Sequence, residues 1–191
     1  MHEGRWRSVS SSLRDAFIAS AVVWAALIVA APYLASRAHT STSASVLILG
    51  VYGLGSLICH QLPERSYHLW AAQMPVCARC AGIYFGAACG ALASTSVRAI
   101  GSWKSRAATD PGAVRPEARS LDDRSNQQAR AGSLRNARVL LGIAAAPTVV
   151  TLLYEWSTGD MPSHAVRAAA GVPIGLAVAW LVVAAADNQV N

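Results

Sequence analysis

Apolar positions in this chain come in long, nearly unbroken blocks, separated by short polar stretches and by one long one. Five blocks approach the ~20 residues that a helix needs to cross a bilayer: residues 16–35, 43–62, 76–97, 137–156 and 165–186. The pattern predicts an all-α fold, a polytopic transmembrane helical bundle of about five spans, with residues 1–191 forming a single integral membrane domain. Pro147, in the middle of the fourth block, predicts a kink. The second block is short, its apolar portion running from Ala44 to Ile58, so Cys59 and His60 are expected in its last helical turn. Residues 63–75 are framed by Pro63 and Pro75, and Tyr67, Leu69, Trp70 and Met74 interleave there with Glu64, Arg65 and His68. That mixture suits a short interfacial helix or re-entrant turn.

The polar stretches set orientation. Arg5, Arg7 and Arg14 precede the first block in the manner of a signal peptide. The apolar core is longer than the usual ~7–15 residues and no A-x-A site follows, so an uncleaved span is expected. Residues 98–136, poor in apolar positions and rich in Pro, Asp, Ser and Gln, read as a flexible basic loop between spans three and four. Nine of the 16 Lys and Arg residues fall between positions 98 and 138, where anionic lipid headgroups are a natural partner.

The net charge of +6 is therefore no signature of nucleic-acid binding, because its surplus sits in one loop. With five spans, ten basic residues lie on the side of that loop and six on the other. The positive-inside rule places the loop in the cytoplasm and the N-terminus outside, in a multi-pass protein of the inner membrane.

Composition sharpens the packing. The chain is 53% apolar and 14% charged, against about a quarter charged in soluble domains. It has only two Phe, but 14 Gly and many Ala, which favours thin helices in close approach. Gly82, Gly86 and Gly90 recur every four residues along the third block, and Gly171 and Gly175 do so in the fifth. Each series makes a ridge on which another helix backbone can lie. Cys89, near the middle of the third block, is expected to be an inert buried thiol.

Chemistry concentrates where the second block ends and the third begins. Three of four cysteines lie there, as Cys59 beside His60 and as the pair Cys77 and Cys80. Cys77 and Cys80, three apart at a helix start, project from one face. The helix N-terminus and Arg79 favour their thiolates. Two chemistries follow. Cys59, His60, Cys77 and Cys80 form a set of the Cys₃His kind that binds zinc or iron; because Cys59 and His60 are neighbours, a three-ligand site, or one completed by His164 or His68, is an equal alternative. Alternatively, Cys77 and Cys80 cycle between dithiol and disulfide, with Cys59 resolving, as in membrane thiol-disulfide oxidoreductases. A third reading is structural or small-ligand-binding, with thiols that pin the loop.

In a five-span chain these residues share one membrane face with Glu64, Arg65, Arg79, Glu155, Asp160, His164 and Arg167, whichever way the chain is oriented. The topology above makes that face extracytoplasmic. Ionisable groups at such a boundary are costly and expected to pair or to function. Glu64 can pair with Arg65, and Arg79 or Arg167 with Glu155. The functional alternatives are an anion pocket from Arg65, Arg79 and Arg167, or a proton relay through Glu155.

The string C-H-Q-L-P-E-R-S followed by P-V-C-A-R-C-A-G-I-Y-F-G resembles an uncharacterised prokaryotic family of small predicted membrane proteins, catalogued as a domain of unknown function. Its motif falls on Cys59, His60, Gln61, Glu64, Arg65, Ser66, Cys77, Arg79, Cys80, Gly82 and Tyr84. A weaker similarity continues through Glu155, Arg167, Gly171 and Gly175. The resemblance implies a membrane protein and supplies no reaction, substrate or cofactor.

Overall fold

The computed structural model describes the backbone over residues 3–37, 41–107 and 119–188, and side chains over 12–37, 41–96 and 136–186. Five helices and one hairpin appear in the order α1 (Glu3–Ala35), α2 (Thr42–Ile58), β1 (Ser66–Leu69), β2 (Ala72–Cys77), α3 (Ala78–Ala107), α4 (Arg119–Thr158) and α5 (His164–Asn188). Among the described residues, three helical segments are long and apolar enough to cross a membrane: Ser12–Ala35, Asn136–Thr158 and His164–Ala186. Helix α2 is apolar but shorter. The fold is a helical membrane bundle.

Small residues face inward and large apolar ones outward. The buried set is dominated by alanines, among them Ala25, Ala31, Ala81, Ala88, Ala91, Ala177 and Ala179. Leu49, Leu57, Ile143 and Val150 are exposed. A water-soluble protein does the reverse. Where lipid is the solvent, large apolar side chains gain nothing by moving inward, and close backbone approach holds the helices together.

The most extensive contact joins α3 and α5. A Cβ built on Gly82 would overlap the Ala168 carbonyl oxygen, and one on Gly86 would overlap that of Val172. The reciprocal holds for Gly171 against the Arg79 carbonyl oxygen and Gly175 against that of Ile83. The two glycine series thus interlock, each backbone lying in the groove left by the other's missing side chains. Gly90 continues the contact against Leu176 and Ala179. Helix α4 lies on α5, where Thr148 Oγ1 donates to the Ala170 carbonyl at 2.7 Å. Pro147 lies within α4 just before that contact.

Three local expectations are corrected. Residues 63–75 form neither helix nor simple turn: a 3₁₀ turn at Pro63–Arg65 leads into the antiparallel hairpin β1–β2, paired Ser66 with Cys77, His68 with Gln73 and Leu69 with Ala72. The alternation of Tyr67, Leu69 and Met74 with polar neighbours is a strand period, and the hairpin has surfaces to pack on. Trp70, at its tip, meets Tyr33 edge-on at 5.2 Å. Second, α2 stops at Ile58, and Cys59 and His60 lie outside it. Cys59 is already extended at φ −146° and Gln61 adopts φ 48°, so the chain leaves the helix before Pro63 forces it to. Third, Cys89 is exposed on α3 rather than buried.

Helical backbone extends into the basic stretch from both sides. Helix α3 continues to Ala107 and α4 begins at Arg119. Residues 108–118 of the basic loop lie outside the described part.

Candidate metal and arginine site

The hairpin positions the cysteines. Strand β2 runs beside the end of α2: the Tyr52 hydroxyl donates to the Gln73 carbonyl, and Gly55 lies against the Pro75 carbonyl because it has no side chain. Gln61 Nε2 closes the corner, donating to the carbonyls of Tyr52 at 2.9 Å and Pro75 at 2.7 Å, while Gln73 Nε2 donates to the Gln61 carbonyl at 2.6 Å. Ser66, fully buried, donates to the Leu62 carbonyl at 3.0 Å. These bonds hold the end of α2 against the end of β2, and so Cys59 against Cys77. The Cys77 backbone N–H points at the Cys59 sulfur, 3.2 Å away.

Because β2 passes directly into α3, Cys80 follows one turn later and returns to the same place. The sulfurs of Cys59, Cys77 and Cys80 lie within 4.8 Å of one another. Three thiolates on one tetrahedral ion at about 2.3 Å would stand roughly 3.8 Å apart, so small side-chain shifts bring the set to ligation distance. The Cys77 thiol, in β2, is lowered to about 5. The Cys80 thiol donating to it is the chief cause. Burial opposes this, and further hydrogen bonds from the Cys80 and Arg79 backbone and the Cys59 thiol reinforce it. Ile28, Met74, Val76 and Ala81 pack with Cys59 into the apolar cluster behind the sulfurs, with Tyr84 at its edge, edge-on to Trp24 at 5.9 Å.

Not every expected ligand joins. His60 is exposed and lines the adjoining cavity without entering the three-sulfur group. Consecutive residues in an extended chain point to opposite sides, so Cys59 turned inward sends His60 outward. His68 is exposed on β1. His164 lies against Tyr67, the rings tilted by 40° with centres 5.4 Å apart, and its Nε2 is buried with no hydrogen-bond partner. Glu64 and Asp160 are exposed.

The ends of α4 and α5 bring charge to the same place. Glu155 Oε1 is 2.9 Å from Arg79 Nη2 and 3.1 Å from Arg167 Nε, and its side chain is only 7% exposed. Arg167 is the largest fully buried side chain, at 1%. The second contact is one of charge without hydrogen-bond alignment, since Arg167 Nε has no hydrogen-bond partner. Arg79 Nη2 also donates to Thr151 Oγ1 at 3.2 Å. No residue reading singled out Thr151, although it stands one turn before Glu155 on the same face of α4. That spacing was the available signal.

Arginines and sulfurs meet in one cavity of about 350 Å³, lined by Cys59, Cys77, Cys80, Arg65, Arg79 and Arg167 together with His60, Gln61 and the apolar Ile58 and Leu62. Arg65, for which a pair with Glu64 and a pocket with Arg79 and Arg167 were both open, faces this space with its Nε buried and without a hydrogen-bond partner.

Comparison with family models falls on the same segment. Residues 59–110 match the family described as Predicted membrane protein (DUF2085). An uncharacterized protein of Methanocaldococcus jannaschii, MJ1492, is 38% identical over 74 residues, which is 39% of this chain and 47% of that protein. The chain thus spans about half the length of the curated relative it matches. No solved structure matches. The segment that builds the cysteine site and the whole of α3 is similar to an uncharacterised family of predicted membrane proteins.

Proposed function

We propose that this membrane protein holds one transition-metal ion, zinc or iron, on the thiolates of Cys59, Cys77 and Cys80, with the remaining coordination position facing the cavity. The observation that carries the reading is the convergence of three sulfurs from three separate pieces of chain: the α2 exit, the end of β2 and the first turn of α3. Structural zinc sites are closed by four protein ligands, whereas sites that act on a further ligand keep a position open. His60, on the cavity rim, is the side chain that would close the set after a change of backbone direction at Gln61.

Elemental analysis of purified protein tests this. One equivalent of metal is expected in the wild type and little in Cys80→Ser. In native membranes Cys77 and Cys80 should resist alkylation until a chelator is added, without any reductant. Because ligation requires thiolate, metal should be lost as pH falls and protons compete for sulfur. Thiols that label at once in a metal-free protein would overturn the proposal.

A second reading is favoured by one observation, the free thiols of Cys77 and Cys80 within 4.8 Å of each other: a dithiol that cycles with a disulfide. Labelling would then need a reductant and ignore the chelator.

We further place the protein in the inner membrane with the cysteines outside the cytoplasm. A phosphatase reporter fused after Ala113 should be inactive, and one inserted in the hairpin active. The reverse pattern would put the thiols in the reducing compartment and exclude a stable disulfide.

A further inference from the structure

We infer that the cavity beside the cysteines is a binding site for a phosphate group, held by Arg65, Arg79 and Arg167. Three guanidiniums line one space. Among the described residues, Glu155 is the one carboxylate paired with Arg79 and Arg167, and none is paired with Arg65. Three thiolates holding a divalent ion carry one net negative charge. Even with such an ion in place, the three arginines and Glu155 leave a positive charge uncompensated.

Keeping guanidiniums out of water is costly unless charge and hydrogen bonds are returned to them. Glu155 returns part of this for Arg79 and Arg167, and the cavity holds what remains. Arg167 is almost wholly buried, and the Nε atoms of Arg65, Arg79 and Arg167 are buried without hydrogen-bond partners. The guanidinium fork matches phosphate oxygens two at a time, which a point charge such as lysine cannot do.

Size and rim narrow the class. At about 350 Å³ the cavity is at the small end of ligand pockets. It admits a phosphate with a modest substituent. Ile58 and Leu62, both exposed, form an apolar border beside the cationic floor. A phosphate monoester or diester carrying hydrocarbon meets both. The phosphate can arrive free from water or as a lipid headgroup. The site stands on the arginines, so it does not depend on the metal reading, although an open metal position would share the cavity with the bound anion.

The test uses the full chain in a neutral maltoside detergent, titrated by calorimetry with inorganic phosphate and, separately, with phosphatidic acid in mixed micelles. Saturable binding of either probe is expected, weakened about tenfold or more by Arg65→Gln. Arg65→Lys, which keeps the charge and loses the fork, should recover part of that loss. Arg65 is the arginine to change because it has no partner in Glu155, and an unchanged melting temperature of the variant would show that the fold is intact. Binding of inorganic phosphate identifies a free anion as the source. Binding of phosphatidic acid alone identifies a headgroup. Both support the site.

If neither probe binds, or if Arg65→Gln binds as the wild type does, the inference is overturned. Cys80→Ser separates it from the metal reading: phosphate binding that survives loss of the metal supports the arginine site, and phosphate binding that vanishes with the metal while ignoring Arg65→Gln places the anion on the metal instead.

Discussion

Two regions built on the same pair of helices follow opposite rules. Along most of their length α3 and α5 meet through absences: Gly82, Gly86, Gly171 and Gly175 let each backbone touch the other. One turn further on, at the end where α3 begins, the same helices carry Arg79 and Arg167, whose long side chains meet around Glu155. The two regions abut, since Gly171 lies against the carbonyl of Arg79 and Gly82 against that of Ala168, next to Arg167. The glycine contact therefore sets the register in which the arginines reach their partner. A slip of one turn would move them by about 5.4 Å, far more than a 2.9 Å ion pair tolerates. A contact without side chains fixes geometry, and a contact made of charged side chains uses it.

The largest effect should come from breaking the charged region. Glu155→Ala leaves Arg79 and Arg167 buried without their shared carboxylate and should destabilise the fold by about 3–5 kcal/mol, read as a lowered melting temperature in detergent. Replacing Glu155 by Asp should recover part of the loss if the pairing is the cause. Equal damage from Asp and Ala would mean that side-chain packing, rather than charge, is what Glu155 supplies.

Next comes the glycine region. Gly82→Leu forces α3 from α5 and should cost about 3 kcal/mol. The same variant should also lose metal content, because Arg79 and Cys80 move with the helix. A variant that weakens the fold while retaining full metal would show that the two regions are uncoupled and that the register argument fails.

Smaller effects are expected at the hinge between them. Gln61→Ala removes two hydrogen bonds to the carbonyls of Tyr52 and Pro75 and should cost about 1–2 kcal/mol. Its diagnostic consequence is faster alkylation of Cys59, as the exit of α2 loosens from β2. The smallest change should have the opposite sign. Gly142, in α4, has open space where a Cβ would stand, so Gly142→Ala should stabilise by at most about 1 kcal/mol through helix propensity. A loss of stability there would reveal a contact with another helix or chain.

The sequence by itself determined the helical membrane bundle and its glycine ridges; of the five expected spans, three are long and apolar enough to cross among the described residues. Long apolar blocks leave a backbone in lipid no option but helix, and small residues at four-residue spacing declare a close helix contact. The pairing of arginines on the third and fifth blocks with Glu155 on the fourth was legible too, because alternate crossings return to one face. What the pattern could not decide is direction within a few residues. Whether Cys59 and His60 lay in a helical turn or an extended strand depended on Gln61 at φ 48°, a conformation held by long-range bonds to Tyr52, Pro75 and Gln73. That choice turned Cys59 inward and His60 outward, which leaves three sulfurs together and His60 outside the group.

The hairpin was hidden for the same reason, since a strand of four residues gains its stability from α1 and α2 rather than from its own sequence. For Arg65 the sequence left two partners open, its neighbour Glu64 or a pocket shared with Arg79 and Arg167, and the tertiary fold decided for the cavity. Local patterns report what a segment buries; the partner it buries against is a property of the whole chain.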